Sequence, residues 1–321
     1  MTHLLTQEER DTFFLDTITK YQQADKSISE VTLVQALITD PSEEVIRSYF
    51  LNTTPQVRVY LVHYAATRGL VNLLKEGLKN RAPRVKVASM YALSVFDYEH
   101  VLNTFIGTDK ATEIIALIHG ATISNRDEVI EFFIQDKKGV VELNNSVSGI
   151  STYLQNALIK FNMLEELEEL VRKTTAYEGA KYFANLRKFD LLIEVLKNYL
   201  DQWVDFGKST NYFSHVARLL LEHKQMTEEL LELIKKRNKQ QIGISSNDSF
   251  IDVPFLYYKS LNDFNGMFSY LLELVEIATE IDQDTGFYQI LVERYFKWYN
   301  LESTLLTNEN QYNSYNRDRY Y

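Results

Sequence analysis

The chain has 321 residues and a formal net charge of −10, from 44 acidic and 34 basic side chains. This length is about twice that of a typical domain, so it predicts either two domains or one long array of repeats. Cysteine is absent, which excludes disulfides, Cys-ligated zinc, iron–sulfur clusters and a cysteine nucleophile. The chain has only 11 glycines and 4 prolines, which disfavours β-hairpins and glycine-rich phosphate loops.

Helical periodicity begins near the N-terminus and continues along nearly the whole chain. Asp40 is predicted to be the N-cap of a helix that has Pro41 at its first position. Thr54 and Pro55 are expected to begin the next helix in the same way. Because a proline inside a helix would break it, these positions predict short helices with well-defined starts.

The predicted helices form hairpins that repeat. Residues 158–164 match residues 186–192, and residues 55–58 match residues 83–86, each at an offset of 28. Weaker versions of the turn lie near residues 69, 125, 224 and 262. One hairpin of this size cannot bury its apolar face alone, so neighbouring hairpins must stack. The sequence therefore predicts an all-α fold, an α-solenoid of stacked helical hairpins; the alternative is a non-repetitive helical bundle.

The periodicity also divides the chain into parts. These are N-terminal helices (1–48), a helical-repeat array (49–236), a polar loop (237–252), C-terminal helical hairpins (253–306) and a polar, Tyr-rich tail (307–321). The tail is interpreted as a weakly ordered end or as a segment that docks onto this chain or a partner.

Two regions resemble known helical-repeat families. Pro55, Val57 and Arg58 recur as Pro83, Val85 and Lys86, and a later Ala follows in both helices. This pattern resembles HEAT repeats, while the region 150–235 resembles degenerate tetratricopeptide hairpins without their strict Trp, Gly and Pro positions. Both resemblances imply a right-handed solenoid.

A further resemblance concerns residues 49–52, Tyr-Phe-Leu-Asn, followed by His-Tyr-Ala at 63–65. They are similar to the first repeat of arbitrium receptors, which are helical-repeat peptide sensors of phages. The resemblance implies a peptide-sensing regulator. Residues 1–48 contain no convincing helix–turn–helix, so the DNA-binding half of such a receptor is not expected.

A peptide site on a solenoid needs polar side chains that can bond an extended backbone. Asparagine suits this role because one amide both donates and accepts hydrogen bonds. The candidate peptide- or protein-binding residues are Tyr153, Asn156, Tyr182, Asn185 and Arg218. The alternative is that they are solvated or capping residues.

Positive charge is concentrated in one segment. Residues 46–96 contain eight basic side chains and a single acid, Glu76, so this segment carries +7 and the rest of the chain −17. The candidate polyanion-binding residues are Arg58, Arg68, Lys79, Arg81, Arg84 and Lys86. They could pair with the acidic remainder or a neighbouring subunit, bind a nucleic-acid backbone, or dock an acidic protein.

The sequence contains none of the common nucleotide-binding, hydrolase or zinc-protease motifs. We therefore expect a protein that is not an enzyme and uses no cofactor or metal. The leading hypothesis is a cytoplasmic regulator that binds a peptide or protein, with no membrane segment; a homodimer is an open alternative. The second hypothesis is a HEAT-like nucleic-acid-binding protein that uses residues 46–96. A DNA glycosylase of HEAT type, ranked last, would need a catalytic acid such as Glu43, Glu44, Asp97 or Glu99.

Overall fold

The computed structural model describes residues 5–23, 30–201, 210–241, 249–281 and 285–299. Of these residues, 82% are helical and none forms a strand. The prediction of an all-α fold is confirmed. Within the same ranges, no helix is long and apolar enough to cross a membrane.

The chain divides into two compact units, residues 1–163 (unit 1) and 164–321 (unit 2). The described helices of unit 1 are α1 (Gln7–Gln23), α2 (Glu30–Leu37), α3 (Glu43–Asn52), α4 (Pro55–Arg68), α5 (Val71–Leu78), α6 (Pro83–Phe96), α7 (Tyr98–Phe105), α8 (Ala111–Ser124), α9 (Asp127–Asp136), α10 (Val140–Ser146) and α11 (Ser151–Lys160). Those of unit 2 are α12 (Leu164–Lys173), α13 (Tyr177–Asn185), α14 (Phe189–Asp201), α15 (Thr210–Glu222), α16 (Glu228–Gln241), α17 (Asp252–Ser260), α18 (Phe264–Glu280) and α19 (Thr285–Tyr299), with a 3₁₀ turn at Ser249–Ile251.

Within each unit, helices contact both the next helix and the next but one. In unit 1, α4 packs on α6 and α6 on α8, and α8 then packs on α11, the third helix after it. In unit 2, α13 packs on α15, α15 on α17, and α17 on α19. Each unit therefore contains a row of neighbouring helices, and the row in unit 1 carries the candidate site.

The hairpin turns share one backbone motif, in which a residue with positive φ follows the helix and the next N–H donates to the carbonyl five residues earlier. At Asn162, for example, the Met163 N–H donates to the Leu158 carbonyl at 2.9 Å. The residues with positive φ in these turns are Gly69, Asn125, Lys138, Asn162, Arg187, Lys224 and Asn262. The turns predicted near residues 69, 125, 162, 187, 224 and 262 are confirmed.

The predicted register of one repeat is wrong. The equivalent turn residues Asn162 and Arg187 lie 25 positions apart, not 28. The segments 158–164 and 186–192 were aligned on shared Phe and Leu residues, and such residues occur on both sides of a turn, so they do not fix its position. Pro55 and Pro83, in contrast, each occupy the first turn of a helix at the predicted offset of 28.

The predicted N-cap at Asp40 is also wrong. The Ser42 hydroxyl caps α3 instead, accepting the Val45 N–H at 3.4 Å. Asp40 has a φ of 59°, and its carboxylate accepts the Tyr64 hydroxyl at 3.0 Å and pairs with Arg68 at 2.7 Å. It therefore ties the connection between α2 and α3 to α4 rather than starting a helix.

Part of the loop predicted over 237–252 is helical, since α16 continues to Gln241. Arg237 and Asn238 are buried, and the Arg237 guanidinium donates to the Tyr199 hydroxyl at 3.2 Å. The Asn238 amide donates to the Phe250 carbonyl at 3.0 Å and to the Tyr270 hydroxyl at 2.9 Å. Residues 242–248, 300–306 and the tail 307–321 lie outside the described residues.

Candidate functional site

An open cavity of about 640 Å³ lies on the α4, α6 and α8 row of unit 1. Helix α6 supplies six of the ten lining residues, from the side of the helix opposite its core residues. The α6 residues in the lining are Pro83, Arg84, Val87, Ala88, Tyr91 and Ala92. His63 of α4 and His119 of α8 form the adjoining walls. The lining thus combines an apolar floor with a few polar side chains, as is usual for ligand sites.

Three aromatic rings lead from the cavity towards α11. The ring of His119 meets that of Tyr91 edge-on at 5.0 Å and that of Tyr153 edge-on at 5.6 Å, both measured between ring centroids. Burial lowers the pKa of His119, and burial together with the neighbouring Tyr153 raises the pKa of Tyr91. At neutral pH the rings of His119 and Tyr91 are therefore uncharged and present hydrogen-bonding groups.

Two glycines bring helices close to α6. A Cβ on Gly77 of α5 would lie 2.0 Å from the Ser89 hydroxyl, and a Cβ on Gly120 of α8 would lie 2.4 Å from the Ser94 hydroxyl. Both hydroxyls are held in place, because each donates to an α6 carbonyl four residues earlier, at 2.9 and 2.7 Å. The spacing of α5 and α8 from α6 is therefore set by close contact at these glycines.

Half of the candidate polyanion-binding residues have partners within unit 1. Arg68 pairs with Asp40, and Lys86 lies 3.4 Å from the Glu113 carboxylate. Arg58 lies over the Phe50 ring and donates to the Leu51 carbonyl at 2.9 Å. These three side chains stabilise the unit itself.

The other three candidates, Lys79, Arg81 and Arg84, are exposed and pair with no acid among the described residues. Lys79 ends α5, Arg81 lies in the following turn, and Arg84 lies in the first turn of α6. The structure therefore concentrates unpaired positive charge at one turn, and Arg84 brings it to the cavity wall.

The candidate peptide-binding residues are divided between the units. Tyr153 and Asn156 lie on α11 of unit 1, where both are exposed and Tyr153 extends the row of rings beside the cavity. Tyr182 and Asn185 lie on α13 of unit 2. Asn156 lies within its helix whereas Asn185 ends one, so the two asparagines are not equivalent positions of a repeat.

The fifth candidate, Arg218 on α15, has a structural partner in unit 2. Its guanidinium lies 3.7 Å from the carboxylate of Asp252, which is buried and also accepts from Arg294 at 2.8 Å. This arrangement joins α15, α17 and α19. The sequence did not indicate it because Asp252 was assigned to the predicted loop.

A second aromatic cluster in unit 2 also escaped prediction. The ring of Tyr177 contacts those of Tyr212 and His215, with centroids 5.3 and 5.4 Å apart. Burial lowers the pKa of His215, and its Nε2 has no hydrogen-bond partner within the described residues. Among all the residues that the structure describes, no group of three His, Asp or Glu side chains is placed to hold a metal ion.

Comparison with known proteins provides no relative: no protein-family model matches the chain, and no curated protein matches it either. The candidate site is therefore interpreted from its own residues and geometry.

Proposed function

We propose that this protein is a non-enzymatic helical-repeat binding protein that holds a peptide segment in the unit 1 cavity. The observation that carries the proposal is the composition of the lining. Val87, Ala88 and Ala92 offer an apolar floor for side chains, while Tyr91 and His119 offer uncharged hydrogen-bonding groups. A peptide presents both kinds of surface along its length.

The polar surface continues beyond the cavity, which favours an elongated ligand over a compact one. Tyr153 contacts His119, and Asn156 lies about one turn further along α11, exposed to solvent. The amide of Asn156 can both donate to and accept from an extended backbone. These two residues would therefore lengthen the binding surface from α6 and α8 to α11.

The helix contacts also support the proposal of an α-solenoid of HEAT or tetratricopeptide type, which we propose to be right-handed as those families are. Rows such as α4, α6 and α8, or α13, α15, α17 and α19, in which each helix packs on the second helix after it, are the arrangement expected of stacked hairpins, and the recurring positive-φ turn supplies a repeated connection. Such rows present a continuous surface that suits a peptide. A cytoplasmic regulator is the role we propose for a protein of this kind.

Filling the cavity tests the proposal. Ala88→Trp places an indole on the cavity floor, and Val95→Trp on the same helix serves as the control because Val95 is 64% exposed and outside the cavity. The immobilised protein is offered a random octapeptide pool, and retained peptides are identified by mass spectrometry. We expect retention by the unmodified protein and by Val95→Trp, and loss with Ala88→Trp. Equal retention by both variants would place binding elsewhere and contradict the proposal.

A second candidate function, nucleic-acid binding, is favoured by Lys79, Arg81 and Arg84, which have no acidic partner among the described residues. If they contact phosphates, duplex DNA should be retained at about 50 mM salt, and each lost contact should reduce the log–log salt slope by about 0.9. Replacing all three with Glu should abolish retention while leaving the circular dichroism spectrum unchanged. No retention by the unmodified protein would exclude this function.

A further inference from the structure

Arg84 lies where helix electrostatics disfavour a cation. It occupies the first turn of α6, where the unpaired N–H groups give the helix end a partial positive charge. That turn contains no acid, and Ala82 before it provides no side-chain cap. A basic residue at a helix N-terminus, with no acid or cap of the same chain to offset it, is unfavourable for stability. Such unfavourable choices are typical of functional positions.

Most neighbouring basic residues, in contrast, are matched with an acid, and Arg58 lies over the Phe50 ring and donates to the Leu51 carbonyl. Arg47 pairs with Glu76, and Lys75 lies 2.6 Å from Asp97. Arg68 and Lys86 pair with Asp40 and Glu113, as described above. Unit 1 thus provides partners for the other basic side chains of residues 46–96, and Lys79, Arg81 and Arg84 are the exception among the described residues of that segment.

We propose that the unit 1 cavity selects acidic peptide segments, with a Glu or Asp side chain of the ligand paired to Arg84. This inference rests on the proposed function and names the class of peptide. The residues next to the ligand's acid lie against Ala88 and Ala92, and Lys79 and Arg81 add attraction at longer range. A planar guanidinium can bind a carboxylate through two parallel hydrogen bonds. This pairing fixes the orientation of the ligand's acidic side chain and also attracts its charge.

The lining favours a peptide carboxylate over a nucleic-acid phosphate. A nucleic-acid backbone would lay charged and polar groups over Val87, Ala88 and Ala92, which offer no hydrogen bonds to replace those lost with water. An acidic peptide can place its charge at Arg84 and an apolar side chain on that floor at the same time. Charge complementarity and the apolar floor therefore point to the same ligand class.

The test measures which residues the retained peptides contain. The intact protein is offered a random octapeptide pool, and the frequency of Asp and Glu in retained peptides is compared with that in the pool. Arg84→Gln removes the charge of an exposed side chain, and Arg84→Lys restores it. Arg126→Gln is the matched control, because Arg126 is a half-exposed arginine of unit 1 that does not line the cavity.

We expect the unmodified protein and Arg126→Gln to enrich acidic peptides, and Arg84→Gln to lose that enrichment. The affinity for one retained acidic peptide should fall about five- to tenfold in Arg84→Gln and recover in part in Arg84→Lys. Raising salt to about 0.5 M should weaken the acid-dependent part of binding in the unmodified protein, because salt screens exposed charges.

Failure of this inference and failure of the proposed function give different results in the experiment. Retention of peptides without enrichment of acids overturns this inference and leaves the proposed function standing. Retention of no peptide overturns both. Retention of a random-sequence DNA duplex that depends on Arg84, in place of acidic peptides, overturns the inference in favour of nucleic acid.

Discussion

His119 lies half-buried between Tyr91 and Tyr153, on the cavity that His63 and Arg84 also line. Burial disfavours its imidazolium and lowers its pKa from the ordinary value of 6.5. In the window below pH 6.5, the unfolded chain therefore binds protons more readily than the native one, and protonation favours unfolding. The stabilising effect of the neutral ring is complete above that window and is lost as the pH falls through it.

The first prediction follows from that titration. Thermal unfolding of the unmodified protein should show a lower midpoint at pH 5.5 than at pH 7.5, and His119→Gln should reduce the difference because glutamine does not titrate. His215→Gln, in unit 2, should reduce it separately, since burial lowers the pKa of His215 too. An unchanged difference in His119→Gln, measured by circular dichroism, would show that the ring does not couple protonation to folding.

The second prediction concerns Asn238, which is fully buried and donates to the Phe250 carbonyl and the Tyr270 hydroxyl. Asn238→Ala leaves both acceptors without this donor, so we expect the free energy of unfolding to fall by about 2–4 kcal/mol. Urea denaturation measures it. Asn265→Ala on the exposed side of α18 is the control and should change stability by less than about 0.5 kcal/mol.

Sequence reasoning found exposed charges but missed buried polar groups and the cavity. Lys79, Arg81 and Arg84 were identified because the excess of positive charge in residues 46–96 can be counted from the sequence. His119 and Tyr91 were missed because they become neighbours only when α6 and α8 pack side by side. Burial of a polar residue such as Asn238 depends on partners distant in the chain, which periodicity does not reveal.

At the level of elements, glycines decide how closely the unit 1 helices approach. Gly120 lies within α8, where alanine would ordinarily be the better helix former by about 1 kcal/mol. A Cβ there would lie 2.4 Å from the Ser94 hydroxyl and 2.6 Å from the Tyr98 ring. Both neighbours are buried, so neither can move without disturbing the core.

The third prediction tests this contact. Gly120→Ala should lower the free energy of unfolding by about 1–3 kcal/mol, because steric overlap outweighs the gain in helix propensity. Gly107→Ala is the matched control. A Cβ added at this position would have no atom of another described residue within 4 Å, apart from its two chain neighbours, so the free energy of unfolding should stay the same or rise slightly. Equal stability of the two variants in urea would show that α6 and α8 can separate at no cost.

Helix ends were largely predictable, and repeat register was not. Pro55 and Pro83 marked helix starts because proline lacks the N–H that a first turn leaves unpaired. Turns at Asn125, Asn162 and Asn262 were predicted from a recurring turn pattern, and asparagine suits these positions because it tolerates positive φ. Arginine has no such preference for positive φ, so the position of the turn at Arg187 could not be predicted from its residue type. It was aligned by a chance match of apolar residues, and the predicted repeat offset of 28 was three residues too long.

At the scale of the whole molecule, two units each have their own buried core. The residues fully buried in unit 1 include Leu61 and Leu93, and those in unit 2 include Leu167, Leu192 and Leu196. Leu164, the first residue of α12, is only half-buried. Because most contacts lie within a unit, damage to one core should leave the other core intact.

The fourth prediction uses the tryptophans, at positions 203 and 298, both of which belong to unit 2. Fluorescence therefore reports unit 2, whereas circular dichroism reports both units. Gly120→Ala should shift the circular dichroism transition in urea and leave the fluorescence midpoint unchanged. Asn238→Ala should shift the fluorescence midpoint. Equal shifts by both probes in Gly120→Ala would mean that the units unfold as one.

The close packing of α8 on α6 at Gly120 also has a consequence for how fast ligands bind. A cavity between helices that already pack closely exists before a ligand arrives, so binding needs no slow rearrangement of α6. Peptides of different sequence should then associate at similar rates and differ mainly in how long they stay bound. Charge at Arg84 would add a salt-dependent increase in the association rate, whereas contacts with Ala88 and Ala92 would act through the dissociation rate alone.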